Sequence, residues 1–274
     1  MSEKSKEKMN RITIMLQEGV ESVFSSEKYA EWLRVCSKFH NYSLNNQILI
    51  MMQAPYATRV AGYRTWQSMG RQVRKGEKSL MIIAPMRIKK EDVDEFGNED
   101  EKELLLFKAV SVFDISQTDG EDLPSIADEL TDDDTAYDDI INRLVSFAPV
   151  PVEFTDIPGT AYGYFSPKEN KICIRKDISR QHQCKTLIHE IAHSLCDADP
   201  KVMTDRQTKE VRAESVAYCV SSALGIDTSQ YSFGYIASWS SGKELTELKA
   251  VMQDIKTVAD KILCAIEDTD QKIA

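Results

Sequence analysis

Histidine is scarce in this chain, with four in 274 residues, at positions 40, 182, 189 and 193. The six cysteines (36, 173, 184, 196, 219 and 264) form no C-x-x-C pair. That spacing argues against a zinc knuckle or a dithiol redox motif, and scattered thiols of this kind are expected to be buried and reduced rather than paired as disulfides. No apolar run approaches the roughly 20 residues that span a bilayer. The opening MSEKSKEKMN is charged and has no apolar core, so no secretory signal is expected, and the reading is a cytoplasmic protein with no membrane partner. Basic residues are missing altogether from residues 116–139, which carry ten acidic ones.

The net charge of −10 hides an asymmetry. Residues 1–90 carry 16 Lys/Arg against 7 Asp/Glu, residues 91–150 carry 3 against 19, and residues 151–274 carry 15 against 18. Whole-chain acidity disfavours a nucleic-acid partner, but a local basic surface decides binding more than the total does. The length allows two domains, and the acidic stretch suggests a boundary near residues 118–135.

Two of the four histidines lie in CKTLIHEIAHSLC, residues 184–196. Its apolar, Gly- and Pro-free flanks predict a helix. There His189 and His193, four residues apart, share a face and can reach one Zn²⁺. Glu190 stands beside the first of them, where it can take a proton from metal-bound water. A second helix is expected over residues 206–224, ending at Gly225. A carboxylate from it would complete a His₂Glu set: Glu214 borders the apolar stripe, and Glu210, one turn earlier, competes. Tyr218 and His182 are candidates to stabilise a developing oxyanion.

Further toward the N-terminus, helices are expected over 9–21, 26–39 and from Ser43 to Pro55, the last carrying Asn45 and Asn46. Residues 58–90 interleave Arg59, Arg64, Arg71, Arg74, Lys75 and Lys78 with Tyr63 and Trp66. Cations that follow a backbone and rings on which bases stack are what single strands require; the same rings can equally be core. Residues 79–88 and 104–115 read as a hairpin with a charged, mobile tip over 91–103. Three strands are expected at 152–157, 160–166 and 171–175, the last two a hairpin whose 161–165 edge could hold an extended peptide. YSFGYIASWSS (231–241) either walls the cleft or closes the core, and a long amphipathic helix ends the pattern at about 243–267.

The run NNQILI…GYRTWQSMGRQVRKGEKSLMIIAPM…FKAVSVFDISQTDG resembles the N-terminal domain of ArdC-type antirestriction proteins. The run TLIHEIAH…EVRAESVAYCVSSALGIDTSQYSFGYIASW resembles the zinc metallopeptidase-like half of the same proteins and of ImmA/IrrE-type peptidases. The resemblance implies an α+β chain with an α/β single-stranded-DNA-binding domain at residues 1–118. An acidic connector with a helix (119–147) and a mainly helical zincin-like domain with a small sheet (148–274) would follow. It also implies Zn²⁺ on His189, His193 and Glu214 with Glu190 as base, a role in mobile elements such as conjugation, and a protein or peptide substrate for the zinc half. Two other expectations stand beside this one: a zincin fold kept only as a DNA-binding interaction module, and a DNA-regulated peptidase that cuts a repressor.

Overall fold

A computed structural model describes residues 3–93, 99–121, 123, 134–197 and 204–267. The expected acidic hairpin tip and acidic connector fall partly outside these residues. In chain order the first elements are helices α1 (Glu3–Val23), α2 (Ser26–Lys38) and α3 (Leu44–Gln53), strand β1 (Val60–Ala61), helix α4 (Tyr63–Ser68) and strand β2 (Arg71–Val73). The long strands β3 (Leu80–Val93) and β4 (Glu99–Asp114) come next, with a 3₁₀ turn and β5 (Thr118–Gly120). Then come α5 (Asp134–Phe147), β6 (Val152–Thr155), β7 (Gly163–Ser166) and β8 (Lys171–Arg175). Helices α6 (Arg180–Cys196), α7 (Arg206–Ala223), α8 (Ile236–Ser240) and α9 (Leu245–Glu267) close the list. The fold is thus a mixture of helix and sheet, as expected.

The chain divides into two compact units, Met1–Glu21 with Asn45–Glu121, and Ser22–Leu44 with Asp122–Ala274. Residues 22–44, expected within the first domain, cluster instead with the second unit. The reason lies in α2, whose apolar face is aromatic. Tyr29, Trp32 and Leu33 are fully buried, and the Tyr29 hydroxyl meets the Ser215 hydroxyl of α7 at 2.7 Å.

In the first unit β3 pairs antiparallel with β4, and β4 with β1. The free edge of β3 is closed by side chains of α3. Asn46 donates to the Ile83 carbonyl at 2.9 Å and accepts the Ile83 N–H at 2.8 Å. Gln53, two turns on, does the same for Met81, at 2.9 Å in both directions. Residues seven apart on a helix share a face, and alternate residues of a strand present their N–H and C=O to the same edge. At the end of β4, Asp114 caps the 3₁₀ turn and accepts from Ser116 N–H, while Gln117 reaches back to the Asp114 N–H. A second short sheet pairs β2 with β5.

In the second unit the sheet order is β6-β8-β7, with β6 parallel and β7 antiparallel to β8. Asn170, at φ 51°, turns the expected hairpin. Helix α6 lies so close to β7 that a Cβ at Gly163 would sit 2.6 Å from Thr186 Cγ2. This close approach brings the edge strand beside the HExxH residues. Phe233, Ile236 and Trp239 of the 231–241 stretch are buried.

Candidate metal centre and nucleic-acid interface

Ser179 caps α6, its hydroxyl accepting the His182 N–H at 3.2 Å. One turn apart on that helix, the His189 and His193 rings bring their Nε2 atoms to 3.1 Å of each other. Glu210 of α7 places a carboxylate oxygen 3.7 Å from each Nε2. On its other side His193 Nδ1 lies 2.9 Å from Asp197, whose carboxylate is nearly buried at 6% exposure. Arg212 stands 3.6 Å from the second Asp197 oxygen and 3.2 Å from Asp254. Asp197 therefore claims the Nδ1 proton and turns the Nε2 lone pair toward His189 and Glu210.

The three donor atoms suit a small divalent cation. A tetrahedral ion with bonds of about 2.0–2.1 Å separates its ligands by roughly 3.3 Å, and the observed 3.1, 3.7 and 3.7 Å bracket that value. The expected third ligand, Glu214, is not in this cluster; Glu210 is. One turn further along α7, the Glu214 carboxylate accepts a hydrogen bond from the Tyr235 hydroxyl.

The charges at the site are strongly coupled. Burial drives His189 down to about 4, helped by the neighbouring His193 charge. Burial also opposes a charge on His193, but Asp197 and Glu210 outweigh it and push the group up to about 9. Burial raises Glu190 to about 7, although its carboxylate accepts the Phe165 N–H from β7. Glu210 is lowered by its pairing with His193.

Two cavities meet at His189 and Glu190. The one of about 560 Å³ is lined by Tyr162, His182, Lys185, Glu214, Tyr231 and Ser232, and the one of about 470 Å³ by Phe165, His193, Arg206, Lys209 and Glu210. His182 thus borders the site, with its ring 4.1 Å from that of Tyr162. Tyr218 lines neither cavity. Its ring packs edge-on against Tyr231 and Phe233, which corrects the oxyanion role considered for it.

The expected nucleic-acid residues divide sharply. Trp66 is fully buried and its indole N–H donates to the Phe113 carbonyl at 2.9 Å, so it is core and no stacking platform. Arg71 is buried and its guanidinium holds the Thr118 hydroxyl and the Thr118 and Glu121 carbonyls. Asn46 is spent on Ile83. Arg74 is exposed but paired with Glu77 and Asp119. Asn45 is half-buried, while Arg59, Arg64, Lys75 and Lys78 are exposed. Tyr63 is 43% exposed and its hydroxyl is held by Gln72. Tyr63, Lys75 and Gly76 line a shallow depression of about 610 Å³.

Sequence reasoning missed Asp197 and Arg212. Asp197 lies four residues after His193, a spacing that on a helix already suggests contact; nothing in the sequence marks Arg212.

Residues 3–113 match the family model for the N-terminal domain of anti-restriction factor ArdC. An uncharacterized protein of Bacillus anthracis, pXO2-81, is 26% identical over 315 residues that take in all of this chain and 52% of its own length. The chain thus spans about half the length of that relative. The crystal structure of the antirestriction ArdC protein from the R388 plasmid, in its metal-free form, aligns over 93% of this chain and 98% of its own, with a TM-score of 0.56 at 19% identity. The Mn(II)-bound form aligns over the same shares with a TM-score of 0.55 at 18% identity.

The chain therefore shares the fold of the R388 ArdC protein. Residues 3–113 thus resemble the ArdC N-terminal domain, and the likeness of fold runs on through the HExxH-bearing half. Among the described residues no helix is long and apolar enough to cross a membrane.

Proposed function

We propose that this chain is a single-stranded-DNA-binding antirestriction protein of a mobile element, whose second unit is a divalent-metal-dependent peptidase-like domain. The match of residues 3–113 to the ArdC N-terminal domain carries the first half. The exposed cations Arg59, Arg64, Lys75 and Lys78 supply charges for phosphates, and the exposed Tyr63 ring, which lines one depression with Lys75, supplies a stacking face. Burial of Trp66 and Arg71 argues against a part for those two.

The convergence of His189, His193 and Glu210 carries the second half, and Glu210 is our choice of third ligand. The Mn(II)-bound ArdC structure supports a divalent ion in this fold, and the N/N/O donor set suits zinc. Such an ion would acidify a bound water and polarise a carbonyl. Glu190, whose burial raises its carboxyl to about 7, would hold the proton drawn from such a water and pass it to a leaving amine. His182 lines the adjoining cavity, from which its ring can donate to the carbonyl oxygen. The outer edge of β7 offers backbone groups to an extended peptide, apart from the Phe165 N–H that Glu190 holds.

The test is single-stranded oligonucleotide binding by the full chain across a salt series, with and without zinc, together with peptide hydrolysis by the wild type and Glu190→Gln. Affinity that falls steeply with salt, and cleavage lost in Glu190→Gln with metal retained, are expected. Salt-independent or absent binding overturns the first half. Cleavage that survives Glu190→Gln overturns the assignment of the base, and no cleavage by either protein leaves a DNA-binding module with a metal that only positions helices.

A further inference from the structure

A second group of metal-binding side chains lies within the second unit, away from the HExxH helix. His40 follows the end of α2, and Asp260, Cys264 and Glu267 follow one another along one face of α9 at i, i+4 and i+7. His40 Nδ1 is 3.0 Å from Asp260 Oδ1, and Cys264 Sγ is 3.7 Å from the same oxygen. On the opposite side of the ring, His40 Nε2 is 3.3 Å from Glu267. Lys256 holds the other oxygen of Asp260 at 3.0 Å.

We propose that His40, Asp260 and Cys264 form a second site for a thiophilic divalent cation, zinc or a metal of similar chemistry, that clips the end of α2 to α9. The donors are one nitrogen, one oxygen and one sulfur, all within 4.8 Å of one another. A tetrahedral zinc with bonds of about 2.0 Å to N and O and 2.3 Å to S sets N–O and S–O separations of roughly 3.3 and 3.5 Å. The observed 3.0 and 3.7 Å require only small side-chain movements to meet them.

Glu267 is the feature that sets this cluster apart from an ordinary ion pair. By taking the Nε2 proton it fixes the tautomer that leaves Nδ1 as the donor, the outer-carboxylate arrangement common to metal-bound histidines. Lys256 steadies Asp260 while leaving Oδ1 available. In the metal-free protein a proton on Nδ1 bridges His40 to Asp260. The cation replaces that proton and the Cys264 thiol proton, both of which pass to solvent. With Cys264 as thiolate, Asp260 and Glu267 ionised and Lys256 protonated, the pocket carries a net charge of −2, which the cation neutralises. The site is independent of the HExxH reading, because it shares none of its residues.

Cobalt(II) titration of the full chain under a phosphine reductant tests the proposal. The HExxH cluster has no sulfur donor, so a thiolate-to-cobalt charge-transfer band in the near ultraviolet reports the second site alone. The band is expected to appear in the wild type, to saturate at one equivalent in His189→Ala, and to vanish in Cys264→Ser, a change at an exposed position. Glu267→Gln is expected to weaken the band's half-saturation about tenfold, and His40→Ala at least as much. Absence of the band, its survival in Cys264→Ser, or indifference to His40→Ala would overturn the assignment. Failure of cobalt to bind the HExxH cluster would leave the band untouched, so the two readings fail separately.

Discussion

The side-chain amide of Asn46 substitutes for a neighbouring strand at Ile83, accepting its N–H at 2.8 Å and donating to its carbonyl at 2.9 Å. An open strand edge is a template for unwanted pairing, and here Asn46 and Gln53 close it from one helix. Removing one amide uncovers a backbone donor and acceptor together. Asn46→Ala is therefore expected to destabilise the first unit by about 2 kcal/mol, read as a lower urea midpoint. DNA affinity should change only as far as the folded fraction does. Weakened binding with an unchanged midpoint would return Asn46 to the interface.

Trp66 and Lys75 make opposite predictions at the proposed DNA surface. Trp66→Phe keeps the ring in the core but loses the bond to the Phe113 carbonyl, costing about 1 kcal/mol of stability with affinity intact. Lys75→Ala and Lys78→Ala, both at exposed positions, should leave stability alone. Each is expected to lower the slope of log affinity against log salt by about 0.7, the value for one lost phosphate contact on a single strand. Fluorescence anisotropy over a salt series, beside denaturant melts, separates the two patterns.

Asp197 should matter to the metal without touching it. It orients His193 through Nδ1 and is itself backed by Arg212. Asp197→Asn can keep the shape of that contact but not its charge, and is expected to weaken divalent-metal binding at the HExxH cluster about 10- to 100-fold. Chelator competition in the Cys264→Ser background reads this site alone. In the same assay Glu210→Gln should lose more affinity than Glu214→Gln; the reverse order would restore Glu214 as the ligand.

What the sequence could disclose followed its periodicities. The HExxH helix, the second helix behind it, the β7–β8 hairpin and the long final helix each carry a local pattern, and each is found close to its expected bounds. Composition could not tell a cation or ring on the surface from one turned inward, so Arg71 and Trp66 stood among the candidate interface residues. Nor could it say which of Glu210 and Glu214 stands level with the histidines. One turn on α7 decides that, and it depends on how α7 lies against α6. The placement of α2 was hidden for a related reason. Its aromatic face predicts burial but not against what, and its partner Ser215 lies 186 residues away.

Asp205 supplies a pH-dependent test of helix α7, on which Glu210 depends. It is the N-cap, accepting the Thr208 N–H at 2.9 Å and the Thr208 hydroxyl at 2.6 Å, and Thr208 in turn accepts the buried Trp239 indole N–H at 2.9 Å. These hydrogen bonds favour the ionised carboxylate and lower its pKa below the ordinary value of 3.8. A folded-state pKa below the unfolded one means that the charge contributes stability above pH 3.8 and that the contribution is lost as pH falls through the folded value. Asp205→Ala should therefore cost about 1 kcal/mol at pH 7, with a gap to wild type that narrows in acid. Asp205→Asn keeps a capping oxygen but no titrating charge, so it should cost less at pH 7 and converge on wild type over the same interval. Urea melts between pH 7 and pH 3 measure both gaps. A gap for Asp205→Ala that widens on acidification would mean that the carboxylate acts in its protonated form, donating rather than accepting, and the cap would have to be reassigned.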